Sequence, residues 1–576
     1  MNKNIADLLS EIAAYLELED FPTARFEIRA YQKAAMTIGT LQEPIEDIYR
    51  KGGVGSLMAL PGVGKSIASL IEEYIKTGRS KKYDTLRKKY PIDMAGLTSI
   101  QGVGAKKALT LYKKLGITDV EGLKKALAQH KIAELDGFGE KSEEIITKGL
   151  QITESSKGRM LLGEALPVAE AMIAKLKGSG LVERALVAGS ARRMRETVGD
   201  LDILAISARN EKVMDFFIGM EEVSSVVQKG PTKSTVMLKI GISCDLRVLE
   251  PASFGAAVQY FTGSRDHNIQ VRTIAVNKRY KLNEYGLFDR RGRNIAGPEE
   301  EGIYEKLGMQ WMPPEMREAR GEVKLAQEHK IPRLVASDDI AGDMHTHTKE
   351  TDGSSSLEEM VDAAMKAGYK YMAITNHTKS LYIAKGMDDR QFAEFFKRVD
   401  RLQDSLDSGF TIFKGVELDI LKDGSLDLKA ETLRGMDVVV AAVHQNTGMS
   451  EEQMTRRVER ALDSGLVSVL AHPTGRLIGE REPYKVDLEK VFECAERNGV
   501  ALEINAFPNR TDLNDTNIML ASKYKVMFSI GTDSHSVQHL RFMRYGVGTA
   551  RRGWLGPERV VNTMTAKRLL GVLKVG

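Results

Sequence analysis

Beyond residue 340, short apolar runs keep closing on chemically active residues. YMAITNH ends at His377, DVVVAAVH at His444, LVSVLAH at His472, GVALEIN at Asn505 and VMFSIGTD at Asp533. Runs this short and this apolar fit strands buried on both faces. Their alternation with helical patterns predicts a parallel barrel or a doubly wound sheet. In a parallel β/α barrel the carboxyl ends of the strands converge on one face, so the residues that end these runs would meet there. The histidines follow the same bias: seven of ten lie at or after His345, namely His345, His347, His377, His444, His472, His535 and His539. His130, His267 and His329 are scattered.

Spacing sharpens that bias into a ligand set. His345-Thr-His347 puts two imidazoles on one face of a strand. Asp352 follows in a loop beside Gly353, Glu417 lies in KGVELD, and Asp533 and His535 in SIGTDSH repeat the alternating spacing. A lone histidine at a strand end is usually structural. Two alternating pairs with three more strand-end histidines are not. With Asp352, Glu417 and Asp533 they form a nitrogen and oxygen set able to hold two or three ions, Mn²⁺, Zn²⁺ or Fe²⁺ by ligand softness. Such ions lower the pKa of a bound water and clamp a phosphate.

The first half carries different chemistry. In Ala188-Gly-Ser-Ala-Arg-Arg-Met-Arg-Glu-Thr-Val-Gly-Asp-Leu-Asp-Ile-Leu204, Asp200 and Asp202 alternate along a predicted strand and share a face. Asp245 in CDLRVL sits in a second strand-like run. Three converging carboxylates repel one another unless cations bind them. Mg²⁺ or Mn²⁺ held there would activate a hydroxyl and offset triphosphate charge during in-line attack. Gly189, Ser190 and Arg193 stand just upstream, placed for phosphate oxygens. Strands are predicted in ERALVAGSARR, LDILAIS, TVMLKIG and SCDLRVL, within an α+β region running to about residue 320. The stretch 312–339, with scattered prolines and charge, reads as a linker.

Residues 1–90 are helical by apolar spacing, as in IADLLSEIAAYLEL and SIASLIEEYI, and helical patterns continue beyond them. Three turns of one pattern punctuate them: Leu60-Pro-Gly-Val-Gly64, Ile100-Gln-Gly-Val-Gly104 and Leu135-Asp-Gly-Phe-Gly139, followed by Lys65, Lys106 and Lys141. A Gly-x-Gly turn opening a helix aims backbone N–H groups outward, where the helix dipole also favours an anion. Gly62, Gly64, Lys65, Gly102, Gly104, Lys106, Gly137, Gly139 and Lys141 are therefore candidate DNA-phosphate contacts that carry no base preference. Net charge, at +4, decides nothing about nucleic acid. Two distant cysteines, Cys244 and Cys494, exclude a disulfide or zinc-finger framework. The N-terminus lacks a signal-peptide core and no run reaches membrane-spanning length, so a soluble, cytoplasmic protein with no membrane partner is expected. No oligomerisation signal is evident, and a monomer is expected.

These motifs resemble two families. Residues 1–320 are similar to family X DNA polymerases of the polymerase-beta type, through GSARR followed by GDLDIL, Tyr260-Phe-Thr-Gly-Ser264, NEYGLF (283–288) and GMQWMPPEMRE (308–318). That resemblance implies catalysis at Asp200, Asp202 and Asp245, and nucleotide binding by Gly189, Ser190, Arg193, Gly199, Tyr260, Phe261, Gly263, Asn268 and Arg272. The family's lyase members place a Schiff-base lysine two residues beyond the alanine of their LPGVG-x-x-IA segment, where this chain has Leu70. A leucine forms no imine, which argues against lyase activity by that route. Residues from about 341 resemble the PHP (polymerase and histidinol phosphatase) domain, a distorted (β/α)7 barrel with a trinuclear metal site. Its ligand pattern falls on His345, His347, Asp352, His377, Glu417, His444, His472, Asp533 and His535. The usual Thr-Asp-His of that family is Thr375-Asn-His377 here, and His539 matches no motif position.

The architecture implied is a helical DNA-binding domain (1–90), a helix-hairpin-helix region (91–155) and an α+β nucleotidyltransferase palm (156–250). A nascent-base-pair subdomain (251–318), a linker (319–340) and the PHP domain (341–576) follow. Its implied function is gap-filling, DNA-directed synthesis from dNTPs on gapped or primer-template DNA in repair. The barrel would add a hydrolytic activity: 3′–5′ exonuclease, abasic-site endonuclease or 3′-phosphatase. The alternative is a repair nuclease whose polymerase half mainly positions DNA.

Overall fold

The computed structural model describes the chain apart from residues 20–23, 40, 42–43, 61, 99, 101, 141, 145, 148–149, 151–157, 407–408 and 574–576. The chain divides into two compact units: Met1–Lys157 with Gly479–Glu482, and the remainder.

The first unit is helical, as its apolar spacing predicts. Helices Asn2–Leu16, Ala24–Gly39, Ile45–Met58 and Lys65–Thr77 are followed by Lys81–Lys89, Met94–Thr98, Ala105–Leu115 and Val120–Ala128. Their inward faces form one apolar cluster that includes Ile12, Tyr31, Ile71, Leu97, Leu111 and Leu123. Leu70 is buried in it, so this position of the helix is packing surface. The first two glycine turns open helices, as expected of them. Gly62, Gly102 and Gly137 adopt the left-handed conformation that favours glycine. Gly64 and Gly104 are extended N-caps of the helices that begin at Lys65 and Ala105. Lys141 lies outside the described residues.

The second unit begins with a five-stranded sheet. Its strands are β1 (Arg184–Val187), β2 (Asp200–Ile206), β3 (Val223–Lys229), β4 (Lys233–Leu238) and β5 (Ser243–Leu249), ordered β1-β2-β5-β4-β3. Only β2 and β5 pair in parallel. The sequence reading missed β3. That strand is an edge, shifts register twice against β4 and is mostly exposed, so it carries no inward apolar alternation. Helices Leu162–Gly178 and Asn210–Ile218 share the sheet's apolar core. Helices Phe254–Thr262, Arg265–Asn277 and Glu300–Lys306 with a three-stranded antiparallel sheet complete the polymerase-like part. The stretch 312–339, expected as a linker, is packed down instead. Arg317, Glu322, Val323, Ala326 and Val335 are all buried.

The last part is a seven-stranded, all-parallel sheet in sequence order. Its strands are β6 (Gly342–Asp343), β7 (Tyr371–Ile374), β8 (Thr411–Asp419), β9 (Val438–Ala442), β10 (Val469–Leu470), β11 (Ala501–Asn505) and β12 (Phe528–Gly531). Closure comes just past the first and last strands. Thr346 bridges Ser534, the Asp533 N–H donates to the His345 carbonyl at 2.9 Å and the His347 N–H to the Ser534 carbonyl at 2.8 Å. The connecting helices start sharply: Ser356, Asp388 and Ser450 each cap reciprocally with the residue three positions on. One apolar cluster spreads from Leu357, Phe392 and Met454 on these helices to Ile374, Val416 and Ile504 on the strands. Among the described residues, no helix is long and apolar enough to cross a membrane.

Candidate functional site

Strand ends deliver the barrel's polar residues to one place. His345 and His347 follow β6, His377 follows β7, Glu417 lies near the end of β8, His444 follows β9, His472 follows β10, and Asp533 and His535 follow β12. Asp352 comes from the loop after β6, folded back by the Gly353 N–H on the Thr348 carbonyl (3.1 Å). Their ligand atoms lie mutually within 4.8 Å in three overlapping groups: His347, Asp352, His377 and His535; His345, His347 and Asp533; His377, Glu417 and His444. His472 stands outside these groups, its Nε2 3.1 Å from Glu417 Oε1.

The atoms face one another without satisfying one another. Buried and lacking a hydrogen-bond partner are His345 Nε2, both nitrogens of His347, Asp352 Oδ1, His377 Nδ1, Glu417 Oε2, His444 Nδ1 and His472 Nδ1. Unpaired buried polar atoms cost about 1–3 kcal/mol each, so this concentration fits cations that the side chains would share. Their separations agree. His345 Nε2 and His347 Nε2 stand 3.4 and 3.5 Å from Glu417 Oε2, and His347 Nε2 stands 3.2 Å from Asp533 Oδ1. Two ligands on one ion at about 2.1 Å would be about 3.0–3.5 Å apart.

Protonation points the same way. Burial alone would raise Glu417, but His377, His345 and His444 bring it well below the carboxylate range. Asp533, likewise buried, is brought well down by His345 and by the neighbouring His347. Burial, with His535 and His377 adding to it, lowers His347 to about 4, and burial with Arg510 lowers His472 to about 4. Burial would lower His377 as well, yet Glu417 and Asp352 carry it up to about 10. Ionised carboxylates beside the neutral His347 and His472 are ready ligands, and at His377, as at the likewise raised His345, His444 and His535, a divalent cation would take the proton's place.

On the other sheet, register assembles the carboxylates. Asp202 stands opposite Asp245 across the parallel β2–β5 pair and Asp200 opposite Ser243, which puts the three aspartates on one face. Burial, then Asp200 and Asp245, raises the Asp202 pKa to about 6. Asp245 accepts from Thr235 Oγ1 at 2.6 Å and pairs with Lys233 at 2.8 Å. Gly189 opens the short helix Gly189–Arg192, and a Cβ there would meet Asp202 Oδ2 at 2.6 Å, so only glycine fits. Gly199 immediately precedes β2.

Arg193 pairs with Glu318 (Nε to Oε1, 3.1 Å) and donates through Nη1 to the Thr262 carbonyl at 2.5 Å. Tyr260 and Phe261, expected in a turn, occupy the last turn of helix Phe254–Thr262, their rings edge-on at 5.1 Å. Arg247 covers the Phe261 ring and reaches Asp245, while Arg272 lies over Tyr260 at 5.8 Å. Asn268 Nδ2 donates to the Tyr260 carbonyl at 2.7 Å, and Gly263 turns the chain in the left-handed region. The structure thus gathers these residues around the carboxylate sheet. The glycine turns at Gly62, Gly64, Gly102, Gly104, Gly137 and Gly139 belong to the other unit.

Over 576 residues the chain is 36% identical to the DNA polymerase/3′-5′ exonuclease PolX of Bacillus subtilis (strain 168), covering 99% of each protein. This chain belongs to the family X DNA polymerases that carry a PHP domain. Within it, residues 257–318 match the DNA polymerase beta thumb and 343–507 the PHP domain. Residues 1–80 match a helix-hairpin-helix domain and 95–151 a SAM-like helix-hairpin-helix tandem. The chain is also 27% identical over 230 residues to a probable phosphatase of Syntrophotalea carbinolica, which spans 90% of that protein and 38% of this chain. A probable phosphatase of Thermoanaerobacter sp. (strain X514) is 25% identical over 236 residues, 91% of its length and 39% of this chain.

Two carboxylates of this family X polymerase's barrel, Glu503 and Asp419, escaped the sequence reading, and His539 and Asn376 gain partners there. Glu503 accepts from His345 Nδ1 at 2.6 Å and from the His472 N–H at 2.7 Å. It stands buried inside GVALEIN, and a carboxylate within an apolar strand was the available signal. Asp419 accepts from the His444 N–H at 3.2 Å. His539 Nδ1 accepts from the His535 N–H at 3.2 Å, and its ring stacks on Phe542 at 4.9 Å. Asn376 ties down the loop after His347, accepting from the Thr348 N–H at 2.8 Å and donating to Thr348 Oγ1 at 2.9 Å.

Proposed function

We propose that this family X polymerase fills short gaps in DNA during repair and trims DNA 3′ ends, synthesising on the palm sheet and hydrolysing phosphoesters in the barrel. The observation that carries the reading is the convergence of nine ligand-type side chains, seven of which have a buried nitrogen or oxygen without a partner, in a chain that also aligns three aspartates across one parallel strand pair. Bound divalent cations would activate a hydroxyl or water and offset phosphate charge, Mg²⁺ or Mn²⁺ suiting the all-oxygen palm set and Mn²⁺, Zn²⁺ or Fe²⁺ the nitrogen-rich barrel set.

In the palm, Asp200, Asp202 and Asp245 are the catalytic carboxylates that hold these ions. Gly189, Ser190, Arg193 and Gly199 bind the dNTP triphosphate, and Tyr260 packs on its deoxyribose with Phe261 behind. Gly263 turns the chain between them, and Asn268 and Arg272 reach the nascent base pair and template. In the barrel, His345, His347, Asp352, His377, Glu417, His444, His472, Asp533 and His535 hold two or three ions, with Glu503 and Asp419 fixing the histidines around them. The glycine turns with Lys65, Lys106 and Lys141 grip DNA phosphates within residues 1–155, ahead of the palm (156–250), the nascent-base-pair subdomain (251–318) and the barrel (341–576). The molecule works as a monomer. Leu70 leaves no amine for an imine, so this reading includes no lyase step there. Tethering the barrel to a DNA-gripping polymerase makes its phosphoester a DNA 3′ end in preference to a free metabolite.

A labelled gapped duplex with Mg²⁺ or Mn²⁺ tests both halves. Asp245→Ala should lose extension and keep degradation, and His345→Ala the reverse. Intact extension by Asp245→Ala would make the chain a repair nuclease whose polymerase half positions DNA.

A further inference from the structure

We infer that the barrel positions the polymerase site: its side chains seat the palm turn Arg193–Glu196, and Arg552 sets Arg193 for the incoming nucleotide. This rests on the reading above that Arg193 meets the triphosphate.

The turn lies between the short helix Gly189–Arg192 and strand β2, which carries Asp200 and Asp202. Its own backbone bonds, Met194 N–H to Ala191 and Arg195 N–H to Ser190, close one loop and leave side-chain direction open. The barrel supplies the rest, residue by residue. Arg552 Nη1 donates to the Arg193 carbonyl at 2.8 Å. Met194, held in the left-handed region at φ +53°, fills a notch left by Gly548, where a Cβ would sit 2.6 Å from Met194 Cε. Glu196 takes both ends of Arg476, at 2.5 and 3.3 Å, while the same guanidinium donates to the Arg510 and Thr511 carbonyls at 2.9 and 2.7 Å. Tyr545, from the barrel helix that bears Gly548 and Arg552, is buried in the palm's own apolar cluster with Met194 against it.

Charge gives this seating a consequence. Glu318 is shared by three guanidiniums: Arg193 at 3.1 Å, Arg552 at 2.9 Å and Arg195 at 3.5 Å. Glu318 and Arg552 side chains are only 9% and 5% exposed, so stripping Glu318 of its partners would strand a buried carboxylate. With Arg552 in place, a triphosphate can draw Arg193 away and leave Glu318 paired. Without it, only the longer contact to the exposed Arg195 at 3.5 Å would remain, so Glu318 holds Arg193 and competes with the nucleotide. Asp515 holds Arg552 from the other side at 2.6 Å and takes Arg320 at 3.1 Å, which fixes the relay within the barrel contact.

The test uses the full-length protein. Arg552→Ala should raise the KM for dNTP in gap filling about tenfold, with kcat changed less than about twofold. Affinity for a non-hydrolysable dNTP analogue should fall by the same factor. Degradation of a 3′ end should stay unchanged, reporting an intact barrel. Arg552→Lys keeps the charge on Glu318 and should recover most of the affinity. Glu318→Gln removes the competitor and should lower the KM, and in that background Arg552→Ala should add little. An unchanged KM in Arg552→Ala with an active barrel overturns the inference, as does an unchanged or raised KM in Glu318→Gln, which serves if Arg552→Ala does not fold. Arg193→Ala separates the two readings. If it leaves the KM unaltered the triphosphate assignment fails, and if it raises the KM while Arg552→Ala does not, only the positioning role fails.

Discussion

The barrel and the palm sheet each collect acidic and basic side chains for phosphate chemistry, yet they are built to opposite designs. Barrel residues are drawn from around a closed ring of strand ends, and most are buried with ligand atoms mutually within 4.8 Å. The palm aspartates come from two adjacent strands, Asp200 is exposed, and Asp245 already has Lys233 and Thr235 as partners. Among the described residues, every close group of three or more ligand types lies in the barrel. The difference is one of charge. Burial keeps His347 and His472 neutral while His377, His345 and His444 keep Glu417 ionised among them, whereas three carboxylates alone cannot approach closely without a counter-ion. Burial, with Asp200 and Asp245 adding to it, raises the Asp202 pKa. The barrel thus mixes acids with imidazoles, and the palm sheet aligns acids on one face.

The sharpest way to break this comparison is Glu417→Gln. Five imidazoles face that carboxylate at 2.8–3.5 Å. Hydrolysis should fall about 10³-fold while extension stays within about twofold. A parallel loss of both in a gel assay of one gapped substrate would show that the sites are not independent.

Glu503→Gln probes the support behind the ligands. Losing the carboxylate behind His345 and His472 should weaken Mn²⁺ binding in calorimetry by about 10–100-fold and leave dNTP binding alone. Unaltered Mn²⁺ affinity would mean that the barrel's order does not depend on this residue.

The palm should betray its unfinished charge through pH. Asp202 is ionised above about 6 and gains a proton as the pH falls through that value. At low Mg²⁺, kcat/KM for extension should drop about tenfold per unit below pH 6, and added Mg²⁺ should move the fall to lower pH because cation and proton compete. A flat profile from about pH 5 to about pH 7 would remove Asp202 from the reaction.

The smallest effect belongs to Asn376→Asp. The change sacrifices the donor to Thr348 Oγ1 and buries a charge, so stability should drop by about 1 kcal/mol. The added charge should raise Mn²⁺ affinity by less than about fivefold. A larger loss of hydrolysis would mean that the Thr348 loop positions Asp352 more tightly than its contacts suggest.

What could be read in advance followed local repetition. The strand-end histidines, the Asp200–Asp202 alternation and the glycine turns are each marked by spacing within a few residues, and the folded chain puts the histidines at strand ends, the aspartates on one strand face and the first two turns at helix starts. What escaped was carried by distance or by exposure. Strand β3 lacks apolar alternation because it is an exposed edge. Glu503 and His539 matter through partners that sequence spacing does not reveal, although a carboxylate amid GVALEIN was a legible warning. The supposed linker looked loose because prolines and charges dominate it, yet Arg317 and Glu322 are buried with partners elsewhere in the fold.

The sequence by itself marked most of the element types and the spacing of the candidate ligands and carboxylates, because strand period, helix period and turn chemistry are local properties of a chain. Only the tertiary structure decided that Thr346 and Ser534 close the ring, that Glu503 stands behind His345, and that Arg552 rests on the Arg193 carbonyl. Those contacts join residues 158 to 359 positions apart. No local pattern encodes such a meeting. It follows from how whole sheets and helices pack once their apolar faces are buried.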